Sequence, residues 1–148
     1  MKMMNTEELL NILRGLTEGG SEVSMPVSGN SMEPFLKNER DRVCFRKPET
    51  PLKRGDIVFY QRSNGQYVMH RIQKIMPEAY FLVGDAQTEV EGPVRPEQIF
   101  GIVTKAQRRG KWISEGNFWW GFFAHVWISM IPLRNMLMFW YGKGRKRW

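Results

Sequence analysis

Ile57-Val58-Phe59-Tyr60-Gln61, a Ser63-Asn64-Gly65 break, then Tyr67-Val68-Met69-His70-Arg71-Ile72-Gln73-Lys74-Ile75 is the stretch that decides the fold. Two runs rich in β-branched and aromatic residues flank an Asn-Gly pair that accepts positive φ, so the segment predicts a β-hairpin. Working outward, similar short runs recur at 23–27, 42–46, 80–83 and 99–106. Pro48, Pro51, Gly55, Pro77, Gly84 and Gly92-Pro93 punctuate them. Short strands at this spacing predict a mainly β domain with a coiled, antiparallel, barrel-like sheet.

A chain of 148 residues suits one core. Three stretches differ in texture. Residues 1–20 read as an amphipathic helix capped by Asn5 with Glu8 as its capping-box partner. Leu9, Leu10, Ile12, Leu13 and Leu16 form its broad apolar face, and Gly19-Gly20 ends it. Glu7, Glu8, Arg14 and Glu18 interrupt any secretory h-region. Residues 21–112 form the β domain. Residues 113–148 form a basic, aromatic tail. The lone Cys44 excludes an internal disulfide, and with only His70 and His125 beside it no metal or cofactor is expected.

Charge follows the same division: residues 1–100 carry a net −1 and residues 101–148 a net +8, together with all six tryptophans. The uninterrupted apolar part, 118–133, is about 24 Å long as helix, short of a bilayer core. Pro132, Arg134 and Asn135 then break it, and Gly121, His125 and Ser129 draw a small or polar stripe along it. Aromatic residues beside Arg134 and the 143–148 cluster favour the headgroup interface, so lipid contact through residues 118–148 is expected, without a span. Every candidate catalytic residue precedes this tail, which predicts that the tail is separable from catalysis.

Three clusters can carry chemistry. The first is Ser28-Gly29-Asn30-Ser31-Met32-Glu33-Pro34, where a strand runs into a turn. It leaves Ser31 at a strand-to-loop edge, where a nearby base and backbone donors would make it a nucleophile. In the second, strand alternation places His70 on one face with Val68 and Ile72, and Tyr67, Met69 and Arg71 on the other. An imidazole there has the range of a general base at neutral pH. The third is Val83-Gly84-Asp85-Ala86, whose carboxylate could orient an imidazole. Taken singly, each has an ordinary reading: a turn serine, a satisfied core histidine and a turn-capping aspartate.

The order Gly29-x-Ser31-Met32-x-Pro34, Arg54-Gly55-Asp56-Ile57-Val58, His70-Arg71, Gly84-Asp85-Ala86 resembles the type I signal peptidase family and its self-cleaving repressor relatives. The resemblance spans about residues 23–102. It implies an all-β coiled peptidase domain, with Ser31 as nucleophile and backbone oxyanion donor and His70 as base. Histidine at this position is similar to the endoplasmic-reticulum and archaeal-type branch; most bacterial members have lysine. Asp85 keeps the Gly-Asp match, but Glu89 and Glu91 fill the downstream acid positions, so Asp85 and Glu91 are both candidates to orient His70. Asp56 reads as structural. Gly29 stands where many bacterial members carry a serine, and Met25, Val27 and Gly29 are the expected substrate-binding residues. The helix at 5–18 stands where the family has its membrane span.

The leading expectation is a membrane-associated serine endopeptidase acting on a precursor protein or leader peptide held in extended form. A self-cleaving repressor would need an internal Ala-Gly or Cys-Gly site, and neither dipeptide occurs. The alternative is a non-enzymatic membrane- or nucleic-acid-binding module using the basic tail. Concentration of charge and aromatics in one apolar segment fits lipid better than nucleic acid, which is not expected as a partner.

Overall fold

The computed structural model describes residues 6–134 together with Met136, Leu137 and Phe139; the Asn5 cap and the 143–148 cluster lie outside the described residues. Helix α1 (Thr6–Glu18) leads into β1 (Val23–Pro26), β2 (Arg42–Arg46), β3 (Ile57–Gln61), β4 (Tyr67–Met76) and β5 (Ala79–Val83). There follow β6 (Glu91–Val94), β7 (Ile99–Arg108), β8 (Lys111–Ser114) and a run of short helical turns that begins at α2 (Phe118–Gly121). All eight strands join one antiparallel sheet ordered β1-β2-β7-β3-β4-β5-β6, with β8 paired to β7. It is mainly β, as expected, but the sheet is not closed into a barrel: β1 and β6 end the path without pairing with each other.

The β3–β4 hairpin forms, with Ile57 opposite Arg71 and Gln61 opposite Tyr67, a pairing that makes Ser63, Asn64 and Gly65 the loop rather than Asn64-Gly65 alone. Its turn uses positive φ only at Gly65 (φ 93°), while Asn64 keeps negative φ and its side-chain oxygen accepts the Gln66 N–H at 2.9 Å. β6 and β8 were not expected. β6 contains Gly92-Pro93, which reads as a breaker, yet proline is tolerated on an edge strand whose N–H has no ladder partner. β8 is four mostly exposed residues that fold back through Arg109 and Gly110, both at positive φ.

Each face of the sheet has its own core. The larger gathers Leu10 and Leu13 of α1, Met25 of β1, Met32, Phe35 and Leu36 from the following turn, and Phe45, Ile57, Phe59 and Val103. The smaller gathers Val58, Tyr60, Ile72, Leu82, Val94 and Ile99. Alternation along β3 and β4 sends successive residues to opposite cores, so Phe59 and Tyr60 diverge, as do His70 and Arg71. On α1 the buried positions are Leu10, Leu13 and Thr17, spaced at helical period, which leaves Ile12 and Leu16 exposed, contrary to the broad face expected.

The tail is part of the main core. Phe123 and Trp127 join the larger cluster, and Phe35 contacts Phe123 and Trp120 ring to ring. Asn117 caps α2 by accepting the Trp119 N–H, and Pro132 falls in the last of the short turns. The Arg54–Asp56 loop seats this run. Gly55 lies so close that a Cβ there would meet the Ala124 carbonyl at 2.6 Å, and Arg54 donates to Ser129 on the polar stripe at 3.1 Å. Asp56 is structural, accepting the Lys53 N–H at 2.9 Å. Among the described residues no helix is long and apolar enough to cross a membrane.

Candidate active site

Ser31 leaves β1 through Gly29, whose positive φ (84°) turns the chain and whose N–H donates to Asn38 at 2.9 Å. Met32, Phe35 and Leu36, all buried, then pull the turn into the larger core. This anchors Ser31 against the end of β5. The Ala86 N–H donates to the Ser31 carbonyl at 2.8 Å. A Cβ on Gly84 would lie 2.5 Å from that carbonyl oxygen and 3.1 Å from the Ser31 Cβ, so only glycine lets the two segments approach.

The register links this contact to His70. Arg71 and Val83 are the last pair of the β4–β5 ladder, and His70 and Gly84 are the residues next to that pair in the chain. The turn that carries Ser31 is thus held at the end of β5, but among the described residues no hydrogen bond joins Ser31 to His70 and Ser31 does not line the cleft that His70 lines. His70 itself is buried on the smaller core beside Ile72 and Val68, as the alternation predicts. Burial pushes its imidazole down to about 4, opposed by the nearby Glu91 charge and reinforced by Arg62.

Asp85 has a different partner from the one expected. Both its oxygens are held by Arg71, Nε to Oδ1 at 2.9 Å and Nη2 to Oδ2 at 2.8 Å, with both side chains fully buried. Arg71 also donates to the Gly55 carbonyl at 2.8 Å and lies over the Phe35 ring. Because Arg71 and His70 are adjacent in a strand, a carboxylate satisfied by one is directed away from the other. Asp85 thus holds the larger-core side of the site together and does not orient His70. Glu91, the other candidate acid, reaches the histidine through an intermediary. The Tyr60 hydroxyl donates to Glu91 Oε1 at 2.9 Å and lies 3.3 Å from His70 Nδ1. Arg62 grips both Glu91 oxygens, at 2.7 Å from Nη2 to Oε1 and 2.9 Å from Nε to Oε2. Those bonds hold the Glu91 carboxyl below its usual range against the opposing effect of burial.

Two hollows flank the site. A cleft of about 760 Å³ is lined by Arg62, His70, Glu91 and the 86–90 loop, which includes Glu89. A smaller one, about 130 Å³, lies between residues 25–28 and Val68-Met69, with Thr6 and Leu10 of α1 at its wall. Met25 and Val27 line it as buried residues, and the Thr6 hydroxyl donates to Ser28 at 3.2 Å.

The sequence reading missed the second layer. Tyr60 was legible in principle, since the hairpin register pairs it with Val68 and so puts it diagonally beside His70. The tail's role was not. Trp127 donates its indole N–H to the Asp85 carbonyl at 2.7 Å, and the buried Arg134 donates to the carbonyls of Gly84 (3.0 Å) and Gln87 (2.8 Å). The segment that touches Ser31 is thus gripped from behind by the tail, which packs on the body of the domain. Among the described residues no group of histidine, cysteine or acidic side chains could hold a metal ion. No protein-family model matches the chain, and no curated protein does.

Proposed function

We propose that the chain is a membrane-associated serine endopeptidase, similar in mechanism to the histidine branch of the signal peptidases, that cleaves a signal or leader peptide bound in extended form. The observation that carries this reading is the seat of Ser31, held over Gly84 just past the strand pair Arg71–Val83 that adjoins His70. Ser31 Oγ attacks the scissile carbonyl carbon as its proton passes to His70, and the Ser31 backbone N–H steadies the oxyanion. Collapse breaks the C–N bond, His70 returns the proton to the departing amine, and water, deprotonated by the same imidazole, releases the acyl group from Ser31.

The sheet edges support an extended substrate. β1 ends the sheet on one side. β4 pairs with β5 only from Arg71 onward, which leaves the other edge of residues 67–70 without a strand partner among the described residues. The small hollow lies between these two edges, so a peptide could add hydrogen bonds to either while presenting a small side chain. Lipid contact is proposed for the outer face of the tail, where Phe118, Trp119, Leu133, Met136 and Phe139 are exposed while Phe123 and Trp127 face inward.

The test is turnover of a detergent-presented leader peptide with small residues beside the scissile bond. Ser31→Ala and His70→Ala should each fall to the same floor, because nucleophile and base act as one unit. Full turnover by either folded variant would overturn the reading.

A further inference from the structure

The hydroxyl of Tyr60 lies between a ring nitrogen and a carboxylate, and the protons available to the three groups can be counted. Glu91 is acceptor only when ionised, and Arg62 holds it ionised. Tyr60 has one proton, and at 2.9 Å it goes to Glu91 Oε1. What the phenol then offers His70 Nδ1, 3.3 Å away, is a lone pair. Nδ1 must therefore be the protonated nitrogen and Nε2 the basic one.

We propose that Tyr60 is a positioning residue that passes the negative charge of Glu91 to His70, fixing the Nδ1–H tautomer and stabilising the imidazolium formed when Nε2 takes the Ser31 proton. The catalytic half of this rests on the peptidase reading; the tautomer does not. The groups facing His70 are few: Tyr60 from β3, Glu91 from β6 and Arg62 just beyond β3. The fold explains why a relay is used. Glu91 stands at the half-exposed rim beside Arg62, whereas His70 is almost fully buried two strands away on β4. A tyrosine reaching across the smaller core spans the gap and stays protonated, since burial and the Glu91 charge both push its phenol upward.

Two measurements test it. The first needs no activity: ring ¹⁵N shifts of His70 at pH 7, assigned against a His125→Gln background, should report Nδ1 protonated and Nε2 bare. Tyr60→Phe, which keeps the ring and removes the acceptor, should mix the tautomers. A wild-type Nε2–H tautomer overturns the proposal. The second is a double-mutant cycle on kcat/KM. Loss of a hydrogen bond to a charged group predicts a fall of about 10- to 100-fold for Tyr60→Phe. Glu91→Gln should give a similar loss, the double variant little more than either single, and the acid limb of the pH profile should move down in all three. A purely structural role predicts additive losses with an unmoved limb. Full Tyr60→Phe activity with Ser31→Ala inactive overturns the relay and leaves the peptidase reading standing. If the wild type cleaves nothing, the peptidase reading fails, and the ¹⁵N shifts still decide the tautomer.

Discussion

Asp85→Asn replaces one oxygen of a buried, doubly bonded carboxylate by an amide of the same shape, so its effect is electrostatic. Arg71 would then keep its guanidinium buried with one amide oxygen, the Gly55 carbonyl and the Phe35 face as partners but no counter-charge. The Asp85 charge also offsets the proximity of a second buried cation, Arg134, which burial and Arg71 together destabilise in its charged form. Removing one member of such a pair costs about 3–5 kcal/mol, a large share of the roughly 5–15 kcal/mol that holds a domain folded. For a domain of this size that is a Tm lower by about 6–20 °C. Urea unfolding followed by tryptophan fluorescence reads it directly, since Trp127 donates to the Asp85 carbonyl. Asp85→Asn/Arg71→Met should recover part of the loss by removing the stranded charge. At low temperature the folded fraction of Asp85→Asn should keep the wild-type pH profile, whereas Glu91→Gln should alter the profile with little change in stability. An Asp85→Asn protein that is less than about 1 kcal/mol weaker, yet shifted in its acid limb, would refute the assignment of Asp85 to Arg71.

Burial of His70 sets a second outcome. The unfolded chain takes its proton near 6.5 and the folded one only at about 4, so as pH falls the unfolded state is favoured. That contribution should shrink stability by about 3 kcal/mol between pH 7 and 4 relative to His70→Gln, measured as urea midpoints across pH. The same burial carries activity down past pH 6, lower than an unperturbed imidazole would allow. Gly84→Ala drives a Cβ to 2.5 Å from the Ser31 carbonyl and should displace Ser31, reducing turnover by about 100-fold while far-UV circular dichroism stays native. Deleting residues 117–148 removes Trp127 and Arg134 from the Gly84–Gln87 segment, so the shortened protein should aggregate or lose turnover of a soluble peptide. Phe118→Ser/Trp119→Ser should instead leave turnover intact and weaken liposome flotation, since both side chains are exposed.

What could be read from sequence depended on range. The hairpin and the His70 face follow from period-two alternation and an Asn-Gly turn, which are local, whereas the register is set by a three-residue loop, 63–65. The closeness of Ser31 to Gly84-Asp85 was carried by motif order. β6 stayed hidden because Pro93 is permitted only by its place at the sheet edge, which is decided by the pairings Leu82–Glu91 and Tyr80–Val94 rather than by local sequence. Asp85 and Glu91 looked equivalent as acids; which of them touches Arg71 and which Tyr60 depends on how β6 curls back toward β3 through side chains. The tail's aromatic richness reads equally well as lipid contact or as core. The structure divides it residue by residue, with Phe123 and Trp127 inside and Phe118 and Trp119 outside.

The central claim is that Ser31 is a nucleophile activated by His70. Its most direct test is acid-quenched peptide mapping after brief exposure to an activated small ester: the claim predicts an acyl group on Ser31 in the wild type and none in His70→Ala. An unmodified Ser31, or one acylated equally without His70, would contradict it.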